Sequence, residues 1–372
     1  MTSAVDPPQR PGIALSGRAR ILLPLVLLLL LAVSFHRLAC APLPPEPAEF
    51  TGESMGTSWS VKLATGDLDA AARAEVMRAI ESELRAVDEA MSTWRPSSEL
   101  SRFNAHASTE PFPVSSGVLT VFRIAAEVSE LSGGAFDVTV GPIVAAWGFG
   151  ATDRIPAPPP PEELEQLRRR VGYRFVEVRD GALRKSRGDV VCDLSAIAKG
   201  YAVDRVSEAL VQLGHLDHLV EVGGEVRAQG RRFDGAAWRV AVEMPDAGAR
   251  DAFEVLELRD VSLATSGDYR NFYESGGRRY SHTIDPRTGR PIEHSLASVS
   301  VLHRDAVHAD ALATALNVLG PEAGYSLAER EGLAALFIVR ETDGSFSARA
   351  SRAFEAVRAG AGATRDAEPQ AH

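Results

Sequence analysis

The chain has 372 residues, 45% of them hydrophobic and 24% charged, with a formal net charge of −10. This is the profile of a globular protein that can bury a sizeable core. It has no basic footprint, which argues against a nucleic-acid partner, and two cysteines (Cys40 and Cys192) supply no disulfide framework.

In chain order, residues 1–20 read as a basic n-region carrying Arg10, Arg18 and Arg20, and residues 21–39 as a signal or anchor segment. The apolar run ILLPLVLLLLLAVSF ends at Phe35, and Cys40 follows in RLAC. Two readings stay open, a lipidated Cys40 or an uncleaved anchor. Both put the remaining chain on the extracytoplasmic side of a membrane, tethered to it.

Residues 40–48 form a Pro-rich spacer, residues 49–351 a single folded domain and residues 352–372 a tail expected to be disordered. SWSVKL is strand-like. Asp67 to Met91 predicts an amphipathic helix with Val76, Ile80, Leu84, Val87 and Met91 on one face. Ser115 and Ser116 are candidate caps for a second helix that stops at Gly133-Gly134. A polyproline loop (Ile155 to Pro161) and a short charged helix (Glu162 to Val171) come next. A long helix then runs from beyond Asp193 to Gly214. From Leu219 the pattern is mainly strands (LVEV, WRVAVEM, FEVLEL, VSLAT, ASVSVL), then a helix at Ala309 to Leu319 and a last strand, ALFIV. Strands joined by short turns, without regular βα alternation, predict an α+β fold with largely antiparallel sheets and packed helices. No GxGxxG opens a helix after a strand, so a dinucleotide would be held by other means.

Two stretches near the C-terminus carry chemistry. In HADALATALNVLG, Asp310 and Thr314 lie four apart on a helical face, and their oxygens suit Mg²⁺ better than a softer ion. In HTIDPRTGRP, His282 and Asp285 flank a tight turn that can hold a base still. Each stretch alone also has a bland reading, a solvated helix face and a structural histidine. Gly223 and Gly224 before Glu225 permit close backbone approach to a ligand. Arg270 and Arg279 are candidate phosphate forks, each against a default surface role.

The motifs MGTSWSV, STWRPSSELSRFN, GGAFDVTVGPIVAAWGFG, DLSAIAKGYAVDRV, VGGE, ATSGDYRNFYESGGRRYSHTIDPRTGRP and ADALATAL follow one another in order. This set, over roughly Glu49 to Val339, resembles the ApbE family of FAD:protein FMN transferases. The resemblance implies a T-fold-like architecture with a flavin site in a crevice between two halves. It also implies Mg²⁺-dependent transfer of FMN from FAD to a Thr or Ser hydroxyl of a target protein, releasing AMP. Acceptors implied are membrane redox complexes or exported FMN-binding domains with a Ser/Thr-Gly-Ala-Thr motif. The residues matching the family's metal ligands are Asp310 and Thr314 with the Ala196 carbonyl. Those matching its FAD contacts are Met55, Trp94 (more often Tyr in the family), Ala135, Phe136, Asp137, Asp193, Lys199 and Ile284, with Glu225 beside them. His282 is the candidate general base, and Asp285 is grouped with it as catalytic. Hydrolysis of FAD to FMN and AMP at the same site remains an alternative, as does a non-catalytic flavin-binding lipoprotein or flavin oxidoreductase. Ala361 to Thr364 is similar to an acceptor motif, set against an unstructured tail of small residues.

Overall fold

The computed structural model describes residues 47–151, 153–245, 251–267 and 271–363 (side chains to 359), together with Leu28 and Leu30. The chain divides into Met1–Pro44 and Pro45–His372, and the fold is that of the second unit. The n-region, most of the apolar run, Cys40, Arg270 and Thr364 lie outside the described residues. Among those described, no helix is long and apolar enough to cross a membrane.

The centre is a sheet of eight strands: β1 (Ala48–Ser54), β2 (Thr57–Leu63), β3 (His218–Val222), β4 (Glu225–Gln229), β5 (Val261–Gly267), β6 (Leu296–His303), β7 (Ala334–Arg340) and β8 (Phe346–Ala350). They lie side by side in chain order, and each neighbouring pair is antiparallel. Alternation along the strands sorts two faces. Val61, Val220, Val222, Ala264, Val299 and Val301 belong to the core packed under the long helices. Ala228, Leu263, Leu302, Leu336 and Ile338 belong to a second core with the hairpin Trp238–Glu243/Ala252–Leu258 and the C-terminal helix.

The helices are α1 (Ala70–Met91), α2 (Glu99–Ala105), α3 (Ser116–Leu131), α4 (Gly141–Ala146), α5 (Pro161–Arg168), α6 (Ala198–Gln212), α7 (Ala306–Glu331) and α8 (Arg352–Ala363). The stripe Val76, Ile80, Leu84, Val87 and Met91 is buried, and Asp69 caps α1 by accepting from the Ala72 N–H at 2.8 Å. Ser115 caps α3, and Gly133 and Gly134 follow its end with φ of 61° and 81°.

Two expectations are corrected. α7 begins three residues earlier and runs to Glu331, past a break at Gly320 (φ 81°) and Pro321. Its first N–H groups, at Ala306 and Val307, are accepted by the two carboxylate oxygens of Asp204 on α6, each at 2.9 Å. The cap comes from a residue about a hundred positions away, so no local signal marks it. Nor does the fold end at the strand ALFIV. β8 pairs with β7, and α8 buries Phe354 completely. Ser351 fixes this corner, donating to the Leu333 carbonyl (2.7 Å) and accepting from the Ala335 N–H (3.0 Å). The Ala/Gly-rich composition of α8 hid it. The hairpin Phe272–Ser275/Arg278–Ser281 and the small sheet of Phe112–Pro113, Val176–Arg179 and Ala182–Lys185 were also not foreseen.

Candidate active site

A cavity of about 1030 Å³ wraps the end of the sheet where Gly223 and Gly224 turn β3 into β4. Both glycines have positive φ (61° and 100°), and a Cβ on Gly223 would stand 2.9 Å from Thr57 and 3.1 Å from the Lys199 side chain. One side of the cavity is lined by Ser60, Lys62, Glu221 and Thr265 of the sheet, another by Lys199, Asp310 and Thr314 of the helices. Residues 135–138 and 282–284 and the strand carrying Arg239 complete it.

α6 and α7 pack unusually closely at Gly200, where a Cβ would lie 2.3 Å from the Ala306 carbonyl oxygen and 2.8 Å from the Asp310 Cβ. That approach lets the Gly200 N–H donate to Asp310 Oδ2 at 2.9 Å. Asp310 is only 5% exposed, and burial raises its carboxyl above the ordinary range, opposed by the Lys199 ammonium and the Gly200 N–H. Thr314 lies one helical turn further along the same cavity, and Ala196 lines it in the segment leading to α6. A carboxylate, a hydroxyl and a main-chain carbonyl are all hard oxygen donors, so these residues suit Mg²⁺.

Lys199 Nζ donates to Glu225 Oε1 at 2.5 Å. Burial depresses the ammonium, but Glu225 and Asp310 outweigh it and hold Lys199 above its ordinary value. Burial pushes Glu225 up, with Lys199 opposing, and its second oxygen, Oε2, has no hydrogen-bond partner among the described residues. A buried carboxylate oxygen without a donor is costly unless a ligand, water or ion supplies one.

His282 lines the cavity edge-on to Phe149, with ring centroids 6.4 Å apart. Its Nδ1 lies 2.9 Å from the Asn271 carbonyl oxygen. A carbonyl only accepts, so Nδ1 carries the proton and the lone pair belongs to Nε2, the tautomer a general base needs. Asn271 escaped the sequence reading because it acts through its main chain, as did Arg239, whose strand pattern shows only alternation.

Of the site residues named from the sequence, Ala135, Phe136, Asp137, Asp193, Ala196, Lys199, Glu225, His282, Ile284, Asp310 and Thr314 line this one cavity. Two of the carboxylates have local work as well. Asp137 accepts from the Thr139 N–H and hydroxyl and from the Tyr173 N–H (2.8, 2.6 and 2.7 Å), and burial still raises it above its ordinary value. Asp193 accepts from the N–H and hydroxyl of Ser195. Four named residues are not among the lining. Met55 packs against the core with φ of 53°, next to the lining Gly56. Trp94 is 69% exposed. Asp285 accepts three hydrogen bonds from Arg287, all at 2.9 Å, and this ion pair braces its own turn. Arg279 stacks over Phe272, 3.8 Å from the ring centroid, and is not in the lining either.

The family model described as the ApbE family matches residues 55–337. An FAD:protein FMN transferase of Vibrio cholerae is 43% identical over 312 residues, covering 84% of this chain and 93% of the relative. The protein of that name from Escherichia coli K12 is 36% identical over 326 residues, covering 84% and 92%. Among solved structures, the flavin transferase ApbE of V. cholerae superimposes with a TM-score of 0.77 at 41% identity, covering 84% of this chain and 99% of that one. The flavinyl transferase ApbE of Pseudomonas stutzeri, in its apo form, gives 0.77 at 40% identity, covering 84% and 97%.

Proposed function

The chain belongs to the ApbE family, and from that premise we propose that it transfers FMN from FAD onto a Thr or Ser hydroxyl of acceptor proteins. The acceptor oxygen attacks the FMN phosphorus, the bond from that phosphorus to the bridging oxygen breaks, and AMP leaves with that oxygen. The hydroxyl proton passes to His282 Nε2, while the Asn271 carbonyl holds the opposite edge of the ring. Asp310, Thr314 and the Ala196 carbonyl would hold Mg²⁺, which when bound neutralises the charge spreading over the transferred phosphate. Lys199 supplies a fixed positive charge beside them, and Glu225 keeps it in place. Phe136, Ile284 and the backbone around Ala135 offer apolar surface to the flavin, with Asp137 and Asp193 as polar walls. Met55 and Trp94 would reach FAD only through the Gly56 turn and from outside the lining, respectively.

The observation that carries this reading is the meeting, in one cavity, of a tautomer-fixed histidine with an oxygen-only donor set on a buried helix pair. The N-terminal sequence supports a tethered, extracytoplasmic location, and the family resemblance suggests membrane redox complexes or exported FMN-binding domains with a Ser/Thr-Gly-Ala-Thr motif as acceptors. Purified protein is incubated with FAD and Mg²⁺, with and without an acceptor domain, following covalent flavin and AMP. AMP release that depends on the acceptor, with flavin attached to it, is expected. Equal AMP release without acceptor would make the enzyme an FAD pyrophosphatase. FAD binding with no AMP at all would leave only a flavin-binding protein.

A further inference from the structure

Away from the cavity, the joint between β6 and α7 gathers a second set of ligand-type side chains. His303 ends β6, Asp305 precedes the first turn of α7, and His308 lies in that turn. One donor atom from each falls within 4.8 Å of the others. The two imidazoles are tilted against each other with centroids 4.7 Å apart. His308 Nδ1 is 3.6 Å from Asp305 Oδ2 and, although buried, has no hydrogen-bond partner among the described residues.

We propose that His303, Asp305 and His308 form a site for one divalent transition ion of the Zn²⁺ type, separate from the oxygen-only donor set of the cavity. Two imidazoles and a carboxylate are the ligands such an ion prefers, whereas Mg²⁺ selects oxygen. In tetrahedral coordination, bonds of about 2.1 Å place donors roughly 3.4 Å apart, so the 3.6 Å pair nearly fits as it stands. The other pairs lie within 4.8 Å and must close by at most about 1.4 Å, which side-chain rotation can supply.

The His303 ring has two tautomers to choose from. With the proton on Nε2, Nδ1 accepts from the Asp305 N–H at 3.0 Å. Ligation through Nε2 selects the other tautomer, in which Nδ1 donates to the Asp305 carbonyl oxygen at 3.2 Å. On the far side of His308, Nε2 lies 3.9 Å from Glu127 Oε2 on α3, the place of the carboxylate that orients a metal-bound imidazole. Water completes the shell, since Asp305 and His308 keep 43% and 26% of their side chains exposed.

The test uses the full chain, stripped of metal and then saturated with Mg²⁺, and titrated with ZnCl₂ by calorimetry. Co²⁺ serves as a second probe, read by its ligand-field absorption. Binding of one Zn²⁺ at this site and a thermal midpoint that rises with Zn²⁺ are expected. His308→Gln and His303→Ala should abolish both, and Glu127→Gln should weaken binding by about tenfold. Asp310→Ala should leave Zn²⁺ binding intact, which separates this site from the cavity. If His303→Ala fails to fold by circular dichroism, His308→Gln carries the test. Unchanged Zn²⁺ affinity in these variants, or no Zn²⁺ binding by the parent protein, would overturn the proposal and leave two histidines packed against each other.

Discussion

Asp310 and His282 line the same cavity but are fixed by different means, a helix–helix contact and a carbonyl at a loop. Their loss should therefore read out differently. On the proposed function, Asp310→Ala removes the charged ligand that would hold Mg²⁺, so transfer should fall about a thousandfold or more, with a smaller loss of FAD affinity. His282→Ala should keep FAD and metal binding while lowering transfer by roughly a hundred- to ten-thousandfold. Flavin fluorescence for binding and in-gel flavin for transfer distinguish the two. Abolished FAD binding in His282→Ala, with transfer surviving in Asp310→Ala, would reverse the assignments. At this scale the sequence was most legible where side chains at a helical spacing line the cavity together, as Asp310 and Thr314 do. It was least legible where the partner is main chain, as at Asn271, or where a carboxylate has a nearby donor. Asp285 stands beside His282 in the sequence, and its pairing with Arg287, two residues on, is visible only in the fold.

At the scale of elements, the contact of α6 with α7 is what brings Asp310 to the cavity, and Gly200 permits it. A methyl at this position meets the Ala306 carbonyl oxygen at 2.3 Å, main chain that cannot rotate away. Gly200→Ala should cost about 1–3 kcal/mol by overpacking. Because the Gly200 N–H also holds Asp310 Oδ2, transfer should drop with it. Denaturant midpoints and activity assays check this, and a variant as stable as the parent would refute the packing argument. Strongly periodic helices such as α1 were legible because their stripes are long. α8 and the early start of α7 were not, because a tertiary partner supplies what the local sequence lacks: a pocket for Phe354 in one case, the Asp204 carboxylate in the other.

For the whole molecule, acid stability reports on two buried groups that oppose each other. His218, wholly buried, has Nδ1 2.8 Å from the His215 carbonyl and Nε2 2.7 Å from the Ser207 hydroxyl. Burial pushes its pKa from 6.5 down to about 4, opposed by the hydrogen bond to the His215 carbonyl and reinforced by the charge of Arg227. The unfolded chain then binds a proton between those values that the folded chain refuses. Its contribution is full above pH 6.5 and is lost as pH falls, by up to about 3 kcal/mol. Asp204 runs the other way: burial raises it to about 6, so the folded state gains stability as pH falls from there towards 3.8. The two partly cancel in the parent protein. His218→Gln removes the His218 term and leaves those of Asp204 and the other buried carboxyls in place, so the stability gap between parent and variant should shift in the variant's favour by a few kcal/mol from pH 7 to pH 4.5. Urea titrations at both pH values measure it, and a gap independent of pH would remove His218 from the account.

The order of the eight strands also sets an order in time. From β3 onward each strand finds its neighbour in the next stretch of chain, whereas β2 pairs with β3 across an insertion of roughly 150 residues. At synthesis rates of about 5–20 residues per second, the β1–β2 hairpin waits roughly ten to thirty seconds for its partner, and alone in water such a hairpin is marginal. We expect the N-terminal hairpin to join late, onto a meander already assembled from the C-terminal side. Pulsed hydrogen exchange during refolding should then find the amides of β1 and β2 protected after those of β5 to β7, and simultaneous protection would show that the insertion imposes no delay.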